Sequence, residues 1–184
     1  MELLKKTIVD KDDRRKDNSN KKQLFEKERH PKPANDHKDD WGFIRDTRTR
    51  ENIAYQMQYL EFLTYLYNDY QMYLTIESLH CKNMIAVIAG VVESALHALV
   101  NQNSESAGLQ FDKDTPPVKL IQEALYTKII DRQMKNDFHS LRKVRNLIHL
   151  KGIEYQEHDA YDVDEVNHYL ELLERFRLKN IHEI

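Results

Sequence analysis

"KNMIAVIAGVVESALHALVNQ", Lys82 to Gln102, is the stretch that decides the fold. Ile, Val, Leu, Ala and Met occupy so many positions that a helix here is apolar on nearly every side. Such a helix is stable only when other helices surround it. Gly90 and the alanines let those neighbours approach closely. The stretch therefore predicts the central buried helix of an all-α protein. Glu93 and His97 interrupt it four residues apart, on one face. They pair with each other or with a neighbour, or they belong to a site.

On the N-terminal side, Ile53, Met57, Leu60, Leu63, Leu66, Tyr70, Tyr73 and Leu74 recur mostly every three or four positions. That spacing predicts one long amphipathic helix from about Asp46 to Leu79. Its tyrosines (Tyr55, Tyr59, Tyr65, Tyr67, Tyr70 and Tyr73) either pack at helix faces with wet hydroxyls or form a base-stacking surface. On the C-terminal side, "NQNSESAGLQFDKDTPP" is a loop, and Pro117 suits the first turn of a helix ending near Tyr126. "DRQMKNDFHSLRKVRNLIHLKG" is a further helix, with Gly152 as its stop. A last helix spans about Val163–Asn180, with Val166, Leu170, Leu173 and Phe176 as its apolar seam. With 4 Gly and 4 Pro in 184 residues, the chain lacks the turn residues an all-β fold needs. The expected architecture is a bundle of four or five helices.

Composition divides the chain. It is 40% hydrophobic and 32% charged, with a mean hydropathy of -0.77, which fits a compact domain joined to a hydrated segment. Residues 1–40 hold 12 Lys or Arg against 10 Asp or Glu and few apolar side chains. A segment like that buries too little to offset its ordering entropy. Residues 1–45 are therefore expected to form a flexible or loosely packed charged arm, and 46–184 the helical domain. The arm ends at "HPKPANDHKDDWGF", rich in prolines and turn residues. Leu3, Leu4, Ile8 and Val9 suit a short amphipathic helix docking on a partner or on the body.

A net charge of -3 and a pI near 6.3 give no global attraction to nucleic acid or an anionic membrane, so polyanion binding must come from a local patch. Cys81 is the one cysteine, which rules out an internal disulfide and suits a reducing cytoplasm. The apolar stretch in "MELLKKTIVDKDD" is short for a signal peptide. No run of about 18 apolar residues is present to span a membrane. The nine histidines are dispersed, without HExxH or EF-hand spacing, so no metal site and no cofactor are expected.

Within the penultimate helix, "LRKVRNLIHL", Leu141 to Leu150, threads polar residues through leucines. At about 100° per residue, with Arg142 at zero, Arg145 falls near -60°, Asn146 near +40° and His149 near -20°. Leu141, Val144, Leu147 and Ile148 fall in roughly the opposite half. The helix thus presents a core face and a stripe of Arg142, Arg145, Asn146 and His149, with Lys143 on its flank. The arginine fork suits a phosphate, and histidine transfers protons near pH 7. Cleaving an RNA phosphodiester needs the 2′-hydroxyl deprotonated, the leaving 5′-oxygen protonated and the developing charge neutralised. Arg and His supply those roles without a metal. A solvated charged face is the plain alternative.

The long first helix, the apolar second helix carrying an acid and the late "LRKVRNLIH" together resemble the HEPN superfamily over roughly residues 50–180. Its members are small α-helical bundles, many of them metal-independent endoribonucleases of toxin, phage-defence and RNA-processing systems. Their motif is an Arg, often followed by a polar residue such as Asn, and a His four to six residues beyond. Arg142 has the right separation from His149 but is followed by Lys143, whereas Arg145-Asn146 has the dipeptide but only three residues before His149. Either arginine, or both, fills the role. The resemblance implies catalytic Arg142, Arg145 and His149, with Asn146 positioning substrate and Glu93 orienting Arg or His. It also implies an RNA substrate, a homodimer with one composite cleft, and a cognate antitoxin or regulatory protein. Many members are inactive, so the alternative is a non-catalytic nucleotide- or RNA-binding or protein-interaction module.

Overall fold

The computed structural model describes residues 30–104, 108, 110–112, 114–148 and 161–181. Among them are six helices and no strand: α1 (Ala34–Asp40), α2 (Thr47–Asp69), α3 (Leu74–Ser104), α4 (Pro117–Tyr126), α5 (Arg132–Ile148) and α6 (Val163–Ile181). The protein is all-α. Each of the five stretches read as helical holds a helix, but the count of four or five does not hold: α1 makes six, and the boundary between the first two expected helices moves.

α3 is the hub. It contacts α2, α4, α5 and α6, and Cys81, Met84, Ile85, Ile88, Val92, Ala95, Leu96 and Leu99 are buried along its length. Among the described residues, α3 alone is apolar and long enough to cross a membrane by length and composition, a property the run-length reading of the sequence passes over. Here 61% of its most apolar window is buried inside the protein, as a core helix requires. α5 and α6 meet through Phe138 and Phe176, edge to face at 5.3 Å. Asn180 donates to the carbonyls of Ile129 (3.3 Å) and Phe176 (2.8 Å), tying α6 to the α4–α5 turn.

The single helix expected over 46–79 is broken. α2 starts where the Asp46 carboxylate accepts from the Thr49 amide at 2.9 Å, and it ends at Tyr70, whose backbone is extended. The chain reverses over residues 70–73, and Leu74 enters α3 with φ +46°. Tyr70, Tyr73 and Leu74 keep a helical spacing, so periodicity alone does not register the break. What favours the reversal is burial: it returns Ser78 and Cys81 to the core instead of carrying them beyond it. Tyr67 donates to Glu77 across the junction at 2.7 Å. The His80 Nε2–H donates to the Leu63 carbonyl at 2.8 Å.

The boundary read at residue 45 also moves. Residues 1–29 lie outside the described residues, but the chain is built into the body well before 46. Trp41, Phe43 and Ile44 are buried in the main core, and α1 packs on α2. His37 and Glu61, each 4% exposed, meet at 3.0 Å. Glu61 also accepts from the Lys32 amide (3.0 Å) and the Tyr65 hydroxyl (2.6 Å), while Gln58 donates to the Lys32 carbonyl at 2.9 Å. A buried carboxylate is tolerated when donors surround it. Three large apolar side chains within four residues outweigh the charged, proline-bearing composition around them.

Candidate functional site

α5 places the site. Asp131 caps its first turn, accepting from the Met134 amide at 2.8 Å. Met134, Phe138 and Leu141 are buried and Val144 is half-buried, so these residues define the core face. With Arg142 again at zero, they centre near -90°, and Phe138 lies near -40°. Arg145, near -60°, is thus on the core side of Arg142, where it faces α3.

That offset separates the two arginines. Arg145 Nη2 lies 3.1 Å from Glu93 Oε2, with the two side chains 33% and 28% exposed. Arg142 is half-buried, and its Nε is shielded from solvent without a hydrogen-bond partner among the described residues. Among the described residues no carboxylate lies within ion-pair distance of Arg142. Asn146 is exposed. His149 lies outside the described residues, as do Gly152 and the side chains of Leu147 and Ile148. The structure therefore brings Glu93 and Arg145 together, with Arg142 one turn before Arg145 on the same helix.

Glu93 and His97 do not pair with each other. The His97 Nε2–H donates to the Asp112 carbonyl at 2.9 Å, and its Nδ1 lies 3.4 Å from the Asn101 amide nitrogen. Asn101 in turn binds both backbone groups of Phe111, accepting at 2.7 Å and donating at 3.0 Å. His97 and Asn101 thus hold the chain after α3 and stand apart from the α5 site.

Beneath Glu93 and Arg142 is a cavity of about 20 Å³ between α3, α4 and α5, walled by Val92, Leu96, Leu120, Phe138 and Leu141. That volume suits one water or a methyl group. Among the described residues, no group of three or more His, Cys, Asp or Glu is placed to hold a metal ion.

A reading confined to Leu141–Leu150 passes over His139, one turn before Arg142. Burial lowers its pKa, and the charges of Arg142, Lys135 and Lys143 lower it further. The signal is the spacing 135, 139, 142, 146, 149, the same three-and-four rhythm extended toward the start of the helix. The tyrosines of α2 split by role. Tyr65 and Tyr67 donate to Glu61 and Glu77. Tyr55 and Tyr59 are exposed, with Tyr59 stacked beside Phe62 at 6.5 Å. No family model matches the chain, and no curated protein or solved structure matches it either.

Proposed function

We propose that the protein is a HEPN-like endoribonuclease that cleaves RNA without a metal, with the exposed side of α5 as its site. Arg142 holds the scissile phosphate and Arg145 neutralises charge in the transition state. His149 exchanges the protons of the 2′- and 5′-oxygens, and Asn146 positions the substrate. Glu93 orients Arg145. The observation that carries this reading is the division of labour between the arginines. A cation already held by a carboxylate is preorganised, and one with no carboxylate partner among the described residues is free to take up an anion. The sequence resemblance supports the same assignment and adds a homodimer with a shared cleft, a cytoplasmic setting, a role in toxin–antitoxin or phage defence, and a cognate antitoxin.

The test is cleavage of a labelled RNA in EDTA by wild type, Arg142→Ala and His149→Ala. Wild-type cutting with a loss of at least 100-fold in each variant is expected. Equal rates in all three would remove the site assignment. RNA binding without cutting by wild type would favour the non-catalytic module, a reading to which the partial neutralisation of Arg145 by Glu93 also lends support.

A further inference from the structure

We infer that the phosphate-binding surface of α5 extends from Arg142 back to the start of the helix, so that the site grips several consecutive phosphates of a single RNA strand. This rests on the RNA reading above and names the part of the substrate bound beyond the scissile phosphate.

Six residues carry it: Arg132, Lys135, His139, Arg142, Lys143 and Asn146. By the same helical projection they occupy one sector, from zero at Arg142 to about +100° at Lys143. No Asp or Glu falls in that sector. The acids of α5 and its cap point elsewhere. Asp131 caps the helix, and Asp137, near -140°, is bound by Arg175 of α6 at 2.6 Å. Arg132, Lys143 and Asn146 are exposed, and Lys135, His139 and Arg142 are half-buried.

No acid among the described residues neutralises their charges. Among the described residues, Arg132, Lys135, Arg142 and Lys143 have no carboxylate within ion-pair distance, and Lys135 donates only to the uncharged Gln122 amide at 3.0 Å. In a chain of net charge -3, four cations without an acid partner among the described residues, on one side of one helix, are a local patch of the kind a polyanion requires. Successive members of the row Arg132, Lys135, His139, Arg142 and Asn146 rise by about 4.5 or 6 Å, three or four residues at a time. A row of that form follows a backbone rather than enclosing one phosphate, and the cavity beside it is too small for a base. His139, whose pKa is lowered by burial and by the neighbouring cations, offers a ring that donates a hydrogen bond or stacks.

The test is binding of a fluorescent 2′-O-methyl oligonucleotide, which lacks the nucleophile and so separates grip from cutting. Anisotropy is measured over a range of KCl concentrations. Four phosphate contacts give a slope of log K against log salt near -2.8, at about 0.7 per contact for a single strand. Lys135→Ala and Lys143→Ala should each flatten that slope by about 0.7, and His139→Ala should weaken binding several-fold. Arg48→Ala, on exposed α2, should change nothing, and unchanged circular dichroism shows that each variant is folded. Wild-type slopes in the Lys135 and Lys143 variants would overturn the inference while leaving cleavage by the His149 site intact. So would equal competition by inorganic phosphate, or preferential binding to anionic vesicles. Conversely, flattened slopes in a protein that cuts no RNA would keep the phosphate track and remove the nuclease.

Discussion

Arg145 and Glu93 join α5 to α3 through a contact of 3.1 Å, fastening the motif helix to the most buried helix of the protein. The pair is about a third exposed on each side, so solvent screens it and its share of stability is small. Glu93→Gln should lower unfolding free energy by about 0.5–1 kcal/mol, and a double-mutant cycle with Arg145→Gln should recover most of that as coupling. Chemical denaturation measures both. Additive losses would show that the two side chains do not act together.

Beneath the N-terminal segment, His37 and Glu61 are buried together with the Tyr65 hydroxyl and the Lys32 amide. Removing one partner leaves the other polar and dry. His37→Ala should therefore cost about 2–4 kcal/mol in thermal or urea unfolding. Glu61→Gln, which preserves an acceptor, should cost less. The reverse order would mean that the ion pair rather than the hydrogen-bond set holds this segment.

Acid should destabilise the fold through its histidines. Burial lowers the pKa of His80, partly offset by its bond to the Leu63 carbonyl, and lowers that of His139 together with the nearby cations. A lowered folded value means the unfolded chain binds more protons, so stability is complete above 6.5, the ordinary value, and declines as pH falls below it. Thermal midpoints at pH 7.5 and 5 should differ more for wild type than for His80→Gln, which keeps a donor without titrating. An identical pH response would remove His80 as a source.

After α4, Lys128 adopts φ +62° just beyond the Thr127 cap, and its amide bonds to the Leu125 carbonyl at 3.2 Å. Glycine favours this left-handed position. Lys128→Gly should stabilise the protein by about 0.5–1 kcal/mol, read as a higher denaturant midpoint. A lower midpoint would mean that the lysine side chain contributes more than the backbone strain removes.

How much of this was legible in the sequence depends on which signal each feature carries. α3 is readable because apolar residues on every side have one physical outcome, and α4 because Pro117 is suited to a first turn. The reversal at 70–73 is not, since Tyr70, Tyr73 and Leu74 keep helical spacing and only tertiary burial of Ser78 and Cys81 selects the turn. The docking of Trp41, Phe43 and Ile44 is hidden by averaging over a charged segment. At the site, a projection of Leu141–Leu150 groups Arg142 with Arg145. The core face defined by Met134 and Phe138 divides them, and those residues lie outside that window. His139 follows from the same spacing once the projection is carried to the start of α5.

The buried position of Trp41 has one further use. It is the sole tryptophan in the chain, 1% exposed and 5.5 Å from Phe43, in the segment that His37 and Glu61 anchor. The protein thus carries a built-in optical reporter of that segment. Its emission maximum and its access to a collisional quencher follow the docking of residues 30–44 without any added label, even while the helices beneath stay folded.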